Sequence, residues 1–254
     1  MLYTLPKANH IIMSAKFSDL AIQSDLIRAL KKQGIFEPFE VQKEAIPDAM
    51  LGNDICCRAP TGSGKTLAFS LPLISRCKRA NPHLPTALIL TPTRELAEQI
   101  YSVLTPLASS LDLDVLAIYG GTSYSKQFRA LEKGVDILVA CPGRLIDLLE
   151  QNALSLEDTD IVVIDEADRM ADMGFMEPVC TILDECAYER QTILFSATLD
   201  DDVAVLIKKY QYKPVKIEVG PKEINMNSMK HFFWLSKNSK KSEVTSEVIK
   251  KYGR

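Results

Sequence analysis

The sequence has little of what marks membrane, secreted and zinc-binding proteins. No apolar run in the 254 residues approaches the roughly 20 that span a bilayer. The N-terminus has no basic start followed by a long apolar core, so we expect no signal peptide. The six cysteines form no C-x-x-C pair and the three histidines are scattered, which argues against a metal site built from them. We expect a reducing, intracellular compartment: the cytoplasm, or the nucleus or nucleolus in a eukaryote.

An excess of positive charge is also missing. Thirty Lys and Arg residues stand against 33 Asp and Glu residues, for a formal net charge of −3. Any nucleic-acid surface must therefore be local. The hydrophobic share of 46% and charged share of 25% are ordinary for a globular protein. The length suits one large domain, or one domain plus part of another.

Short apolar runs alternate with longer helical patterns along most of the chain. Strands are predicted at 54–59, 86–90, 115–119, 136–140, 161–165, 192–196 and 215–219. Helices are predicted at 64–80, 93–111, 143–154 and 200–211. The strand segments are mostly apolar throughout, which is typical of strands buried on both faces of a parallel sheet. The pattern predicts an α/β fold, a doubly wound and mostly parallel sheet flanked by helices. Ligands of such sheets bind beyond the carboxyl ends of the strands.

The pattern changes at about Gly220. Residues 221–254 are polar and rich in Lys and Ser, with one apolar segment, HFFWL, at 231–235. We predict an N-terminal extension at 1–16, one α/β domain at 17–220, and at 221–254 a linker with the first strand and helix of a truncated second domain. The alternative is a C-terminal tail that packs on the single domain.

A glycine-rich segment, APTGSGKT at 59–66, directly follows the first predicted strand and opens the first predicted helix. A phosphate-binding loop requires this context, because backbone N–H groups at the helix N-terminus can wrap phosphate oxygens. Gly62 and Gly64 permit the backbone angles of such a loop. Lys65 would reach the β- and γ-phosphates, and the Thr66 hydroxyl would bind Mg²⁺. The alternative is an ordinary Gly/Ser turn.

Two acids follow a buried strand further along the chain. Asp165 and Glu166 come after the apolar residues of IVVID. Phosphoryl transfer needs a carboxylate for the metal and a base near the attacking water, and we expect Asp165 and Glu166 to fill these roles. The alternative is an acidic helix N-terminus.

The motifs together resemble the DEAD-box RNA helicases. Asp165-Glu166-Ala167-Asp168 spells the motif that names the family, and alanine is usual at the first position of the family's phosphate loop. Further motifs occur in the family's order: GIFEPFEVQ (34–42) with Phe17 upstream, PTRELAEQ (92–99), GG (120–121), CPGRL (141–145) and SAT (196–198). The resemblance covers residues 17–220.

The resemblance implies a RecA-like P-loop NTPase domain that uses ATP and Mg²⁺. Catalytic roles are implied for Lys65, Asp165, Glu166, Asp168, Ser196 and Thr198. ATP binding is implied for Phe17, Gln42, Ala59, Pro60, Thr61, Gly62, Ser63, Gly64, Lys65 and Thr66. Metal binding is implied for Thr66 and Asp165. Contact with the RNA backbone is implied for Pro92, Thr93, Arg94, Gly121, Pro142, Gly143 and Arg144. Gln42 would bond the adenine edge, and Ser196 and Thr198 would link the nucleotide to the RNA through Asp168.

The sequence departs from the family pattern at three positions. Ile35 stands where the family often has an aromatic residue that stacks on adenine. We therefore expect Gln42 to carry most of the preference for the base. Phe39 and Cys141 each stand where the family commonly has threonine, so a hydroxyl group is missing at both positions.

The activity that the resemblance implies is an ATP-dependent RNA helicase, in which ATP binding and hydrolysis drive local unwinding of an RNA duplex. The expected partners are RNA, held by its backbone without sequence preference, and a second RecA-like domain of the same protein. We expect a monomer with no membrane partner, and residues 1–254 alone to be poorly active. The alternatives are another P-loop ATPase, such as a DNA translocase, and a non-catalytic binding module.

Overall fold

The computed structural model of the chain describes residues 16–220 and 241–252. Residues 1–220 and residues 221–254 form separate compact units. The first unit contains the α/β domain, and the second contains one described helix.

The strands of the first unit are β1 (Ile55–Arg58), β2 (Ala87–Leu90), β3 (Val115–Ile118), β4 (Ile137–Ala140), β5 (Ile161–Ile164), β6 (Gln191–Ser196) and β7 (Val215–Glu218). Its α-helices are α1 (Ser24–Lys32), α2 (Glu40–Met50), α3 (Lys65–Arg76), α4 (Arg94–Ala108), α5 (Tyr124–Lys133), α6 (Pro142–Glu150), α7 (Ala167–Asp172), α8 (Met176–Glu185) and α9 (Asp201–Tyr210). Short 3₁₀ helices cover Phe17–Leu20 and Ser109–Leu111.

The strands form one parallel sheet in the order β3-β4-β2-β5-β6-β1-β7. The phosphate-loop strand β1 lies between β6 and β7, with Ile55 opposite both Ile193 and Val215. Each of the seven predicted strands is present, and each agrees with the prediction to within one residue at either end. The predicted doubly wound α/β architecture is confirmed.

Both faces of the sheet are buried. In β2, Ala87 and Ile89 belong to one apolar cluster, while Leu88 and Leu90 belong to the other. The first cluster takes side chains from α1 to α4, and the second takes side chains from α5 to α9. This arrangement explains the continuous apolar strands, since successive side chains of a strand point to opposite faces.

The helix predicted over 64–80 ends earlier, at the end of α3. The reason is a buried acid that precedes β4. The Asp136 carboxylate accepts the N–H of Ala80 at 2.7 Å and Nη1 of Arg79 at 3.0 Å. These bonds hold the chain in a loop where the sequence pattern alone favoured another helical turn.

The helix predicted over 143–154 also has different ends in α6. It begins at Pro142, because proline has a preset φ and suits the first helical position. It ends at Glu150, and the chain reverses at Asn152, which has a φ of 52°. The helices predicted over 93–111 and 200–211 correspond to α4 with its following 3₁₀ turn and to α9.

The described part of the second unit is α10 (Lys241–Tyr252). A linker with a first strand and helix was predicted within 221–254, and the apolar segment 231–235 lies outside the described residues. None of the helices in 16–220 and 241–252 has the length and apolar character that crossing a membrane requires.

Candidate functional site at the carboxyl edge of the sheet

The motifs found in the sequence lie along one edge of the sheet, because all the strands run in the same direction. Across that edge, residues 120–121 follow β3, residues 141–145 follow β4, residues 92–94 follow β2, residues 165–168 follow β5, residues 197–198 follow β6 and residues 59–66 follow β1. The segments expected to bind RNA thus follow three neighbouring strands. Those expected to bind the nucleotide, to act in catalysis or to link the nucleotide to the RNA follow the next three. The strand order therefore divides the edge into two halves.

The glycine-rich loop adopts a conformation that its glycines permit. Gly62 and Gly64 have φ angles of 82° and 92°, in the left-handed region. A Cβ atom on Gly64 would lie 2.6 Å from Nε2 of Gln42 and 2.6 Å from Cδ2 of Phe39, so only glycine fits there. Ala59 lies at the buried end of β1, outside the positive-φ region, where a methyl group is tolerated.

A cavity of about 540 Å³ opens over this loop. The loop and α3 contribute Thr61, Gly62, Gly64, Lys65 and Thr66, the β5 end contributes Asp165 and Glu166, and α4 with its cap and α7 contribute Thr93, Glu95, Leu96, Gln99 and Arg169. The lysine and threonine that begin α3 therefore share one cavity with the paired acids. Lys65 is 8% exposed, and its Nζ donates to the carbonyl oxygen of Ala59 at 3.3 Å.

Asp165 is buried at the floor of this cavity and is 3% exposed. Burial raises the pKa of its carboxyl to about 6, an effect that nearby Lys65 opposes and the charge of Glu166 reinforces. Its Oδ1 also accepts the N–H of Glu166 at 3.1 Å. The carboxylate is thus held where a cation would relieve the cost of its burial.

Glu166 has an unusual backbone for a residue with a side chain. Its φ is 54°, in the left-handed region, which costs energy for a non-glycine residue and is often found at functional sites. This conformation turns the chain from β5 into α7. The Glu166 carboxylate faces the cavity and accepts a hydrogen bond from Nη1 of Arg169 at 3.2 Å.

Asp168 connects the β5 end to the β6 end. Its Oδ2 accepts the N–H groups of Ala197 and Thr198 at 3.2 and 2.9 Å, and the Thr198 hydroxyl at 3.1 Å. The Ser196 hydroxyl accepts the N–H of Asp168 at 3.1 Å. Burial opposes ionisation of Asp168, but the bonds from Ser196 and Thr198 outweigh it and lower the pKa of the carboxyl.

Gln42 and Phe17 lie outside the lining of the cavity. The Gln42 amide is buried behind the phosphate loop, where its Nε2 donates to the Gly64 carbonyl at 2.9 Å and its Oε1 accepts the Phe39 N–H at 2.9 Å. Gln42 therefore ties the start of α2 to the end of the loop. Phe17 is buried in the apolar cluster on the same face of the sheet.

The segments on the β3-β4-β2 half of the edge differ in how far they are exposed to solvent. The Thr93 hydroxyl caps α4 by accepting the N–H of Leu96 at 3.3 Å. Arg94, Gly121 and Gly143 are exposed. Pro92 and Pro142 are buried, and the side chain of Arg144 is only 10% exposed.

Three polar residues that line the cavity were not predicted. Glu95 and Gln99 lie one helical turn apart on α4, and Arg169 lies three residues after Glu166 on α7. Helical spacing relates Gln99 to Glu95 and Arg169 to Glu166. That spacing cannot reveal that both helices face the same cavity.

A larger cavity, of about 870 Å³, lies at the opposite, amino edge of the sheet. Its lining includes Lys78 beside Asp160 and Lys209 beside Asp184, so each of these charges has a partner within the protein. We place the candidate site in the smaller cavity, because that cavity joins a backbone loop at a helix N-terminus to a lysine and two acids.

Comparison with known proteins gives a family match over most of the chain. Residues 39–206 match the family model described as DEAD/DEAH box helicase. The chain is 36% identical over 234 residues to "ATP-dependent RNA helicase CshA" of Listeria monocytogenes, covering 92% of this chain and 45% of that protein. It is 42% identical over 207 residues to "DEAD-box ATP-dependent RNA helicase 9, mitochondrial" of Arabidopsis thaliana, covering 80% of this chain and 34% of that protein. The chain thus spans less than half the length of these relatives.

Solved structures of similar fold come from the same family. A DEAD box protein from the hyperthermophile Methanococcus jannaschii superposes with a TM-score of 0.76 at 35% identity, covering 80% of this chain and 55% of that one. A hypothetical ATP-dependent RNA helicase from Sulfolobus tokodaii superposes with a TM-score of 0.72 at 34% identity, covering 78% of this chain and 57% of that one.

Proposed function

The chain belongs to the DEAD/DEAH box helicase family, and from this premise we propose that residues 17–220 are the ATP-binding RecA-like domain of an ATP-dependent RNA helicase. Such an enzyme couples ATP binding and hydrolysis to local unwinding of an RNA duplex. The observation that carries the proposal is the single cavity shared by Lys65, Thr66, Asp165 and Glu166. These residues come from two distant parts of the chain, and phosphoryl transfer requires them together.

ATP would bind with its phosphates over the glycine-rich loop. The loop offers backbone N–H groups at the start of α3, where the helix dipole favours anions. The Ser63 hydroxyl is buried there without a hydrogen-bond partner among the described residues, which suits a loop that closes on a ligand. Lys65, which now donates to the Ala59 carbonyl, would turn its ammonium group to the phosphate oxygens. Gln42 would position the loop through Gly64 while contacting the base.

The residues of the cavity fit Mg²⁺ bound together with a nucleotide. Mg²⁺ prefers oxygen ligands and is usually held by one or two carboxylates plus phosphates and waters. The Thr66 hydroxyl and the buried Asp165 carboxylate supply such oxygens. Within the described residues, no cluster of three or more His, Cys, Asp or Glu side chains could hold a metal ion by itself, which agrees with a metal held partly by its nucleotide. When bound, the ion would neutralise charge on the phosphates.

Glu166 is the residue best placed to activate water. Its carboxylate faces the cavity next to the phosphate loop, and its strained backbone sets its direction. In hydrolysis, the carboxylate would accept a proton from a water whose oxygen attacks the γ-phosphorus, and the bond to the leaving ADP oxygen would break. Lys65 would stabilise the negative charge on the phosphate oxygens during this step.

RNA would bind along the β3-β4-β2 half of the edge. The proposed contact residues are Pro92, Thr93, Arg94, Gly121, Pro142, Gly143 and Arg144. Exposed arginine and backbone N–H groups suit phosphate oxygens and do not read the base sequence. Asp168 at the start of α7, with Ser196 and Thr198 at the end of β6, lies on the other half of the edge and would connect the nucleotide state to RNA binding.

The proposed partner for closure over ATP and RNA is a second RecA-like domain, and the proposed state of the protein is a monomer. We assign residues 221–254 to a linker and the start of that domain, and residues 1–16 to an extension. The relatives, more than twice as long as the matched region, support this assignment. An arginine supplied by another domain is worth about 10³–10⁵ in rate, so residues 1–254 alone should turn over ATP slowly.

A titration with a fluorescent ATP analogue and Mg²⁺, followed by RNA-stimulated ATP turnover, tests the proposal. We expect residues 1–254 to bind the nucleotide weakly and hydrolyse it slowly. A longer form that includes a second RecA-like domain should hydrolyse it faster when RNA is added. Equal stimulation by single-stranded DNA would favour a DNA translocase. Nucleotide-independent RNA binding without turnover in the longer form would favour a binding module.

A further inference from the structure

Two tyrosines flank the Gly120–Gly121 turn, and each lies against one of the arginines on the proposed RNA-binding half of the edge. Tyr119 precedes the turn and lies beside Arg94, while Tyr124 begins α5 and lies beside Arg144. In both cases a carboxylate on the same helix as the arginine completes the group. We call Arg94, Glu98 and Tyr119 the first cluster, and Arg144, Asp147 and Tyr124 the second cluster.

In the first cluster, one carboxylate oxygen accepts hydrogen bonds from both other residues. The Arg94 guanidinium carbon lies 5.1 Å from the centroid of the Tyr119 ring. Oε1 of Glu98 accepts Nε of Arg94 at 3.2 Å and the Tyr119 hydroxyl at 2.8 Å. The hydrogen bond from Tyr119, and then that from Arg94, lower the pKa of the Glu98 carboxyl, so the cluster keeps its charges at neutral pH.

The second cluster repeats the arrangement with a closer contact. The Arg144 guanidinium carbon lies 4.0 Å from the centroid of the Tyr124 ring. Oδ2 of Asp147 accepts the Tyr124 hydroxyl at 2.8 Å and lies 3.7 Å from Nε of Arg144. The arginine is therefore held between the ring on one side and its own helix on the other.

The two arginines differ in what their outer nitrogens do. Nη1 of Arg144 donates to the Thr122 carbonyl at 3.2 Å and to Oε1 of Gln127 at 3.1 Å. Nε2 of Gln127 in turn donates to the Thr122 hydroxyl at 2.9 Å, so Thr122 is held at both its carbonyl and its side chain. Arg144 thus joins α6 to the loop that carries the glycine turn.

Arg94 keeps its outer nitrogens at the surface. Its side chain is 51% exposed, against 10% for Arg144. Its Nη1 would lie 3.4 Å from a Cβ atom built on Gly121, so the guanidinium edge lies beside the glycine turn. A phosphate can reach Arg94 without breaking a bond among the described residues, whereas Arg144 is largely covered and its Nη1 is already bonded to Thr122 and Gln127.

We propose that Tyr119 and Tyr124 are positioning residues with different tasks. This proposal rests on the RNA-binding role proposed above for this half of the edge. Tyr119 presents Arg94 to a backbone phosphate, and Tyr124 holds Arg144 as an internal brace for the loop 120–122. Arg94 then contributes a direct charge contact with RNA. Arg144, which was placed above among the contact residues by its motif, contributes instead the shape of the turn whose backbone N–H groups face the RNA.

Salt dependence of binding separates a phosphate contact from a brace. The binding constant for a labelled single-stranded RNA would be measured over a series of salt concentrations, for the wild-type chain and for Arg94→Gln and Arg144→Gln. Each lost phosphate contact reduces the slope of log K against log salt by ~0.7 for a single strand. We expect that reduction for Arg94→Gln, and a weaker affinity with an unchanged slope for Arg144→Gln. An equal fall in slope for both variants would overturn the proposal.

The tyrosine variants test positioning directly. Tyr119→Leu should weaken RNA binding several-fold while the slope stays that of the wild type, because Arg94 still meets the phosphate but is no longer held. Tyr101→Leu, an exposed tyrosine on α4 outside both clusters, is the matched control and should leave binding unchanged. Identical affinity for Tyr119→Leu and the wild type would refute the task given to Tyr119.

A measurement without RNA tests the brace on its own. Amide hydrogen exchange across residues 119–125 should speed up in Arg144→Gln and Tyr124→Leu, with a smaller effect in Tyr124→Phe, which keeps the ring over Arg144. The control Tyr101→Leu should match the wild type. An unchanged rate of amide hydrogen exchange in Arg144→Gln would contradict the proposed role of Arg144 as a brace. A wild-type chain that binds no RNA would instead defeat the proposed function of this edge and the task of Tyr119, while exchange still decides the task of Tyr124.

Discussion

The Thr198 hydroxyl donates to Oδ2 of Asp168 at 3.1 Å and so joins the segment after β6 to the start of α7. The same oxygen accepts the backbone N–H of Thr198 at 2.9 Å. The ends of β5 and β6 are therefore fastened together by one ionised carboxylate next to the candidate ATP site. These hydrogen bonds contribute to the stability of the domain. They also couple the positions of the two strand ends.

Removing the Thr198 hydroxyl should destabilise the domain modestly. Thr198→Val deletes one donor to a partly exposed carboxylate, and we expect the free energy of unfolding to fall by about 1 kcal/mol at neutral pH. Thr198→Ser, which keeps the hydroxyl, should restore it. Because the pKa of Asp168 is lowered in the folded state, this stability is present above the unfolded value of 3.8 and is lost as pH falls through the folded pKa. Urea unfolding at neutral and acidic pH measures both effects, and equal losses at the two pH values would contradict the assignment.

Asp165 should have the opposite dependence on pH. Its folded pKa is raised to about 6 from 3.8, so its favourable contribution is complete below 3.8 and is lost as pH rises through about 6. Asp165→Asn should therefore stabilise the ligand-free domain at neutral pH by up to ~3 kcal/mol, while weakening Mg²⁺-dependent nucleotide binding. Thermal unfolding without nucleotide gives the stability. The exposed neighbour on α7, Asp172→Asn, is the control, and a destabilised Asp165→Asn variant would show that burial is not the dominant effect.

Glu166→Gln should separate nucleotide binding from turnover. The amide keeps the size of the side chain but cannot accept a proton from water, so we expect ATP turnover to fall by about 10²–10⁴. Nucleotide affinity should change little, since Lys65 and the loop remain. The comparison is best made in a form that includes the second domain, where turnover is measurable. Glu189→Gln removes an exposed carboxylate at the opposite edge of the sheet and should leave turnover intact. Full ATP turnover by the Glu166→Gln variant would rule out Glu166 as the base.

The two left-handed glycines of the phosphate loop should differ in their tolerance of a methyl group. Gly62→Ala meets no atom within 4 Å and should cost only the backbone strain, about 1–2 kcal/mol. Gly64→Ala would place its Cβ 2.6 Å from both Gln42 and Phe39, so it should cost more than Gly62→Ala. The double variant Gly64→Ala/Phe39→Ala should recover part of the difference. Denaturant unfolding of the four proteins measures this, and equal costs for the two single variants would contradict the close packing.

Much of the fold was predictable because short segments of the sequence specify its strands. Most of the seven strands are continuous apolar runs, and burial on both faces of a parallel sheet requires such runs; the edge strand β7, with Lys216 and Glu218, is the exception. The helix ends were harder, since α3 ends where Asp136 binds Arg79 and Ala80 from a distant part of the chain. The helices α1, α2, α5, α7 and α8 were not predicted from periodicity, although the segment leading to Gln42 was recognised by its motif.

The candidate site was predictable in its parts. Lys65, Thr66, Asp165 and Glu166 were expected together and line one cavity, while the roles given to them stay predictions. Gln42 lies behind the loop, and Glu95, Gln99 and Arg169 were missed. Motif spacing names residues at strand ends but carries no information on which way their side chains turn.

The sequence by itself determined the class of fold, the family and the residues proposed for the chemistry, because apolar runs and short motifs are set by a few neighbouring residues. Only the tertiary structure decided the strand order that sets the segments proposed for nucleotide and for RNA on opposite halves of one edge. It also decided that Arg94 faces solvent while Arg144 is turned inward beneath Tyr124. Both outcomes depend on packing between elements distant in the chain, and the same apolar pattern is compatible with many strand orders and side-chain directions.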